Sequence, residues 1–218
     1  MSEGTASTRV LRTSELIASE IVTASVQALS AGKLVALPTD TVYGIAADAS
    51  CQPAVRRLFE IKQRAADNPL PVLIADCDDM HNAACDIPAS AERLADCFWP
   101  GPLTIILHKS AAIADLVTAG QPTVGLRVPD HELTRAVLHQ ADFPVAVTSA
   151  NISDRPAACT AQQVLASLGS AIDMLIDDGP CPGGLPSTVL DLTISPPQIL
   201  RDGPISREQL EQITGQVK

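Results

Sequence analysis

The chain has 218 residues, of which 46% are hydrophobic and only 2% aromatic, so its core is expected to consist mainly of aliphatic side chains. A formal net charge of −10 and a pI of about 4.7 argue against an extended nucleic-acid-binding surface, which is usually basic. The polar N-terminal segment has no signal-peptide core and no apolar run is long enough to span a membrane, so we expect a cytoplasmic protein with no membrane association. Six cysteines without a Cys-x-x-Cys pair are expected to be reduced thiols, not zinc ligands.

Hydrophobic periodicity and turn signals predict helices that alternate with short strands in one α/β domain. A flexible arm is expected over residues 1–12, the domain over 13–213 and a tail over 214–218. Thr13 or Ser14 can cap the first helix, which runs to about Ser30. Further helices are predicted at 54–64, 78–84, 89–98, 111–118, 133–138, 161–168 and 206–213, and strands at 33–37, 71–75, 103–107, 123–129, 143–149, 174–176, 187–192 and 199–201.

Polar groups follow the strand that ends near residue 149, in the segment VTSANISDRP over 147–156. Ser149 supplies a hydroxyl and Asn151 a carboxamide, and both groups donate and accept hydrogen bonds. In open α/β folds the turn after a strand lies at the sheet edge where ligands bind. Asn and Ser are also ordinary turn residues, so local turn chemistry is the alternative interpretation.

Four cations lie at or near the ends of predicted elements: Lys62, Arg64, Arg127 and Arg201. Lys62 and Arg64 end a helix, where the helix dipole favours cations; alternatively they clamp a phosphate. We expect water to reach both positions. Arg127 lies inside the apolar run TVGLRVP, so it forms either a buried ion pair or a site for a carboxylate or phosphate. These cations, together with nearby hydroxyls, predict a site that binds and polarises anions.

Two loops can border such a site. The segment PTDTVYG over 38–44 carries two threonines and is either a polar turn or a ligand rim built of hydroxyls. The Gly/Pro-rich segment DGPCPGGLP over 178–186 is a candidate lid, although it matches neither a Walker A loop nor a GxGxxG fingerprint. The four histidines share no spacing and no metal ligands are predicted.

Seven motifs occur in one order between about residues 13 and 213: PTDTVYG, K-x-R with NPL, PGPLT, GLRVP, TSANIS, STVLD and RDG. Together they resemble the YrdC/TsaC family of threonylcarbamoyl-AMP synthases in its short, single-domain form. The resemblance implies an α/β fold in which a twisted mixed β-sheet, flanked by helices, surrounds a positively charged cavity. It also implies that this chain lacks the additional C-terminal domain of the longer synthases.

The implied reaction combines L-threonine, bicarbonate and ATP into threonylcarbamoyl-AMP and releases pyrophosphate. Mg²⁺ is expected on the triphosphate, held mostly by phosphate oxygens and water. The product would serve the t6A modification of adenosine 37 in tRNA. Other proteins would transfer the group, so direct tRNA binding is expected to be weak or absent.

The resemblance also assigns roles to individual residues. A catalytic tetrad would consist of Lys62, Arg64, Ser149 and Asn151. The ATP contacts would come from the tetrad members Lys62, Arg64 and Asn151, and from Asn68, Thr123, Cys159 and Arg201. Threonine and its carbamate would be held by Thr41, Arg127, Ser149 and Ser187.

Four positions depart from the family pattern and affect the rim of the site more than the tetrad. Ala65 replaces a proline, Leu73 a histidine near threonine and Asp154 a glycine; Cys159 stands where a hydroxyl residue often meets ATP, although Thr160 is adjacent. Three alternatives remain open: a carbamoyl-adenylate-forming relative with another acceptor, an RNA-binding module, and a nucleotide-binding paralogue without activity. The acidic pI and sparse aromatics argue against the RNA-binding module.

Overall fold

The computed structural model describes residues 7–63, 65, 67–153 and 155–218. Arg64 and Asp154, which the sequence analysis selected, and the first six residues of the predicted arm lie outside the described residues. Within the described part the strands are β1 Arg9–Arg12, β2 Val35–Leu37, β3 Gly44–Asp48, β4 Val72–Leu73, β5 Ala84–Cys85, β6 Leu103–Lys109, β7 Thr123–Arg127, β8 Val145–Ser149, β9 Met174–Asp177, β10 Thr188–Asp191 and β11 Gln198–Arg201. The helices are α1 Ala18–Ser30, α2 Gln52–Lys62, α3 Met80–Ala83, α4 Ala89–Phe98, α5 Glu132–Gln140, α6 Ala161–Leu168 and α7 Arg207–Thr214, with 3₁₀ turns at Cys77–Asp79 and Gly169–Ala171.

The described strands form one mixed sheet in the order β1-β9-β2-β3-β8-β4-β7-β6-β10-β11, and β5 pairs with β6. The β1–β9–β2, β4–β7 and β6–β10 neighbours are parallel. The β2–β3–β8–β4, β7–β6 and β10–β11 neighbours are antiparallel. The predicted α/β fold with a mixed sheet flanked by helices is therefore confirmed, whereas the positive charge of the cavity stays a prediction.

Helices cover the two faces of the sheet unequally. On one face, apolar residues of α2, α4, α6 and α7 pack in a large core against strands along most of the sheet. On the other face, α1 and α5 pack only against β1, β9, β2, β3, β8 and β4. That second core holds no described residue of β7, β6 or β10, so this part of the face is left for a cavity.

Several element predictions are wrong. Residues 9–12 form β1, in parallel register with β9, and not a flexible arm. Residues 111–118 form turns and not a helix, and β3 was not predicted. The strands β1 and β3 are short, and their partners β9 and β8 lie far away in sequence, so local periodicity does not reveal them.

Described residues near both chain ends make contacts that the sequence does not predict. The first helix begins at Ala18, and Thr13 does not cap it but donates its hydroxyl to Asp178 Oδ1 at 2.6 Å. In the predicted tail, Val217 is buried, Lys218 N donates to Pro197 O at 2.8 Å and Lys218 O accepts from Ile199 N at 3.0 Å. Residues 9–12 and 217–218 are thus attached to the sheet.

Candidate active site

A cavity of about 380 Å³ lies over the part of the sheet that α1 and α5 leave uncovered. Its floor comes from β7, β6 and β10, and its walls come from the 38–43 loop, the 68–71 segment, the end of β8 and the end of β11. Six of the predicted site residues line it: Thr41, Asn68, Arg127, Ser149, Ser187 and Arg201. Residues from six separate stretches of the chain therefore meet at one place.

Sheet register explains why the end of β8 meets the 38–43 loop. Gly44, which follows this loop, pairs with Ser149 in the antiparallel β3–β8 ladder. A Cβ atom on Gly44 would lie 2.6 Å from Val147 Cγ1, so only glycine permits this close approach. Tyr43 O accepts from Ala150 N at 2.7 Å, which extends the pairing into the turn formed by Ser149, Ala150 and Asn151.

Lys62 joins the end of α2 to that turn. Its Nζ donates to Ser149 O at 2.7 Å, Asn151 Oδ1 at 2.9 Å and Ser149 Oγ at 3.3 Å. Its backbone carbonyl accepts from Ser153 N at 3.0 Å, and Gln63, in the left-handed conformation, ends the helix at this point. Three of the four predicted tetrad residues, all except the undescribed Arg64, are thus in direct contact.

The expectation that water reaches Lys62 is wrong, since this side chain is only 2% exposed. A buried ammonium is stable only when oxygen atoms replace its water, and the strand end supplies them. Ser149 lines the cavity, while Lys62 and Asn151 lie behind it. The amide of Asn151 is held in turn, because its Nδ2 donates to Ile152 O at 2.9 Å and Arg155 O at 2.5 Å.

Arg127, at the end of β7, forms a second buried cation in the cavity wall. Its Nη2 donates to Asp40 Oδ1 at 2.5 Å, its Nη1 to Thr41 Oγ1 at 2.9 Å and its Nε to Gly101 O at 2.9 Å. Burial lowers the pKa of Arg127, and the Asp40 carboxylate opposes that effect. The buried ion pair considered in the sequence analysis exists, yet only three of the five guanidinium N–H groups are used by described residues.

Arg201, at the end of β11, contacts the cavity floor at Ser187, which lies beside Thr104. Arg201 donates through Nε to Ser187 O at 2.9 Å and through Nη2 to Ser187 Oγ at 3.0 Å. The hydroxyls of Thr104 and Ser187 lie 2.7 Å apart. The glycine of the RDG motif allows this arrangement, because a Cβ on Gly203 would lie 2.3 Å from Thr188 N.

The 178–186 loop packs against the 38–43 loop at the rim. Gly183 N donates to Asp40 O at 3.0 Å and Gly184 N to Thr41 O at 2.9 Å. The buried Tyr43 hydroxyl donates to Gly179 O at 2.7 Å, and burial raises the pKa of this phenol. The candidate lid is therefore hydrogen-bonded to the loop that also contacts Arg127, while its movement stays a prediction.

Four described residues with a predicted ATP contact do not line the cavity: Lys62 and Asn151, which lie behind Ser149, and Thr123 and Cys159. Thr123 lies on the same face of β7 as Gly125 and Arg127, beyond the cavity floor. Cys159 lies behind the 178–186 loop, where its carbonyl accepts from Cys181 N at 2.8 Å. Leu73, one of the departures from the family pattern, does line the cavity.

Asp40 and Thr104 are site residues that the sequence analysis missed. Both lie inside motifs that it quoted, PTDTVYG and PGPLT, and this was the available signal. In the described ranges, no three His, Cys, Asp or Glu side chains converge as metal ligands. None of the helices in those ranges combines the length and apolar character needed to cross a membrane.

Comparison with known proteins places these motifs in a family. The family model Sua5_yciO_yrdC, described as "Telomere recombination", matches residues 27–203. Threonylcarbamoyl-AMP synthase of Pyrococcus abyssi is 43% identical over 187 residues, which cover 86% of this chain and 55% of the relative. Threonylcarbamoyl-AMP synthase of Bacillus subtilis is 40% identical over 190 residues, which cover 87% of this chain and 55% of the relative. This chain thus spans little more than half the length of these relatives.

A solved structure agrees with the sequence relatives. The crystal structure of P. abyssi Sua5 complexed with L-threonine has a TM-score of 0.90 and 40% sequence identity, covering 96% of this chain and 62% of that one. The family match extends over most of the chain and includes the strands and loops that form the cavity. The chain belongs to the Sua5/YciO/YrdC family.

Proposed function

We propose that this chain is a threonylcarbamoyl-AMP synthase, which converts L-threonine, bicarbonate and ATP into threonylcarbamoyl-AMP and pyrophosphate. One observation carries the proposal: Arg127 and Ser149 line the same cavity, and behind Ser149 the Lys62 ammonium joins it to Asn151. The names of the P. abyssi and B. subtilis relatives support it. This chain spans 55% of the length of each of these relatives. The complete activity of the relatives is therefore a proposal for this chain.

Arg127 is the proposed anchor for the threonine carboxylate. The described residues leave two of its N–H groups for a ligand, and a guanidinium can bind a carboxylate through two parallel hydrogen bonds. Thr41 lies against the same guanidinium at 2.9 Å, and Ser149 and Ser187 supply further hydroxyls along the cavity. The L-threonine complex of P. abyssi Sua5 supports an amino-acid site in this fold.

The reaction needs two bond-forming steps. The threonine amine adds to bicarbonate or CO₂, with loss of water from bicarbonate, to give a carbamate. A carbamate oxygen then attacks the α-phosphorus of ATP, and the bond to pyrophosphate breaks. Lys62 and Arg64 would offset charge that develops on the α-phosphate, an effect that a buried site strengthens.

In this scheme Lys62 acts from behind Ser149. Its Nζ lies 3.3 Å from the hydroxyl of Ser149, which lines the cavity. The Ser149 hydroxyl therefore separates the Lys62 ammonium from a ligand in the cavity. The ammonium also holds Asn151 Oδ1 at 2.9 Å and so fixes the turn that borders the nucleotide. Asn68 and Arg201, on the cavity wall, would contact ATP, and Thr123, Cys159 and Arg64 stay proposed contacts.

Magnesium would enter with the nucleotide. The described lining contains no Asp or Glu, so the described part of the chain supplies no carboxylate ligand inside the cavity. Phosphate oxygens and water suit Mg²⁺, and bound magnesium would neutralise phosphate charge. We propose that the product leaves for a separate transferase that modifies tRNA, since a net charge of −10 disfavours direct tRNA binding. This role would place the protein in the cytoplasm.

The test is pyrophosphate release from ATP with threonine and bicarbonate each omitted in turn, without tRNA. We expect release only when both are present, and the mass of threonylcarbamoyl-AMP among the products. Release without threonine would show a different acceptor and overturn the proposal. Arg127→Gln serves as the matched variant, because it should raise the KM for threonine more than the KM for ATP.

A further inference from the structure

Thr104 and Ser187 form a hydroxyl pair on the cavity floor. Thr104 lies in β6, and Ser187 lies immediately before the neighbouring parallel strand β10. The side chains are buried, with 5% and 3% exposure, and both line the cavity. Their oxygens are 2.7 Å apart, which is a normal distance between hydroxyl groups that share a hydrogen bond.

Counting donors shows what this pair can offer to a ligand. Each hydroxyl has one O–H and two lone pairs, and one O–H is used between the two residues. Ser187 Oγ also accepts from Arg201 Nη2 at 3.0 Å. Neither hydroxyl has another hydrogen-bond partner in the described part of the chain. One O–H of the pair is therefore left over, whichever residue donates to the other.

We propose that Thr104 is a positioning residue, which donates to Ser187 and thereby directs the Ser187 O–H into the cavity. With lone pairs of Ser187 occupied by Thr104 and Arg201, its hydrogen must point away from both. The ligand group that suits an O–H beside a guanidinium is an anionic oxygen. In the proposed reaction, on which this inference rests, that oxygen belongs to the threonine carbamate or to an ATP phosphate.

The geometry supplies a matched pair of variants. Thr104→Val removes the hydroxyl and keeps the branched shape, whereas Thr104→Ser keeps the hydroxyl and removes a methyl group. That methyl group packs against Gly125, because a Cβ built on Gly125 would lie 3.2 Å from Thr104 Cγ2. A purely packing role of Thr104 would make the serine variant the worse one. The proposed role makes the valine variant the worse one.

The experiment measures kcat and both KM values for pyrophosphate release, together with calorimetric binding of threonine and of ATP. We expect Thr104→Val to lower kcat/KM by roughly ten- to a hundred-fold, and Thr104→Ser to stay within about three-fold of the original chain. Weaker threonine-dependent parameters would assign the oxygen to the carbamate, and weaker ATP parameters to a phosphate. Equal effects of the two Thr104 variants would overturn the proposal.

A double-mutant cycle and a neighbouring threonine complete the test. If Thr104 acts through Ser187, Thr104→Val should add nothing once Ser187→Ala is present; additive losses would contradict the proposal. Thr188→Val removes an equally buried hydroxyl, which donates to Ile205 O at 2.9 Å, and should lower Tm without changing either KM. If the proposed function is wrong, the unmodified chain should turn over ATP without threonine. Calorimetric binding of threonine and of ATP to the Thr104 variants would still test the role of Thr104 in that case.

Discussion

The two halves of one sheet face differ in what lies above them. Below α1 and α5, the strands present a continuous apolar surface, with Val35, Leu37, Val145 and Ile176 in one buried cluster. Over β7 and β6, the same face presents glycine, threonine and arginine beside Ile106, and no helix of the described chain packs there. The β7 sequence TVGLR shows the difference within five residues, since Val124 and Leu126 join the opposite core while Gly125 and Arg127 line the cavity.

This contrast indicates that the cavity forms where no helix of the described chain covers the sheet, and that the motif residues line the space left there. A buried helix requires apolar partners, and each buried aliphatic side chain contributes roughly 1.5–3 kcal/mol. Where no helix is present, small residues leave volume and polar residues can be hydrated or bind a ligand. We call the half over β7 and β6 the open half and the half below α1 and α5 the covered half. Variants can therefore be designed to disturb the open half, the border between the two halves, or the covered half.

The largest effect is expected on the open half, from Arg127→Met. This change removes the guanidinium from Asp40, whose side chain is 13% exposed and would be left as a buried carboxylate without its cation. Breaking such a pair destabilises a fold by about 3–5 kcal/mol. Urea unfolding should show this loss, and adding Asp40→Asn should recover part of it. A double variant that is less stable than Arg127→Met would contradict the ion-pair explanation.

A smaller loss of stability is expected at the border, from Lys62→Met, which keeps most of the stem and removes the ammonium. Ser149 O and Asn151 Oδ1 would lose a donor, at a cost of about 1–3 kcal/mol. Activity should fall far more than stability, by roughly a hundred-fold or more in kcat. The exposed Lys33 provides the matched control, since Lys33→Met should leave kcat unchanged. A near-normal kcat of Lys62→Met would remove Lys62 from the mechanism.

Substitutions of increasing size at Gly125 fill the open half with apolar side chains, as in the covered half. A Cβ there would lie 3.2 Å from Thr104 Cγ2 and 3.7 Å from Pro71 Cβ, so Gly125→Ala should be tolerated with a small shift of neighbours. Gly125→Val fills cavity volume and should raise the KM for ATP about ten-fold at a stability cost of roughly 1 kcal/mol. Steady-state kinetics with varied ATP measures the effect, and an unchanged KM would exclude the floor around Gly125 from the nucleotide site.

The smallest effect is expected on the covered half, at His131, which caps α5 by accepting from Thr134 N at 3.4 Å. Burial lowers the pKa of His131 despite nearby acidic groups, of which Asp178 has the largest influence. The folded chain therefore binds this proton less readily than the unfolded chain. Stability should fall as pH drops from about 6.5 through the lowered pKa of the folded state.

His131→Asn keeps a side chain that can cap the helix and removes the titration. Tm measured at about pH 7.5 and again below about pH 6 should fall less for this variant than for the original chain. Kinetic constants near neutral pH should not change. An identical pH dependence of Tm in both chains would show that another group is responsible.

Much of the fold was predictable because its long elements have local signals. The helices near 54–64, 89–98 and 161–168 and the capping box of Ser206 with Gln209 are present with small boundary shifts. The failures have two causes. The strands β1 and β3 are short and pair with the distant strands β9 and β8, and propensity cannot anticipate such pairing. The turns over 111–118 are instead held by local contacts such as Lys109 Nζ to Ile113 O at 2.9 Å.

The sequence predicts the family, the α/β class and most of the residues that meet at the cavity. These features depend on sequence motifs and on the hydrophobic periodicity of helices and strands. Only the tertiary structure decides which of those residues contact one another. Lys62 lies behind Ser149, Arg127 pairs with Asp40, and Thr104 meets Ser187 across neighbouring strands. Each of these contacts links positions 80 or more residues apart, where register and burial, and not local sequence, bring polar groups together.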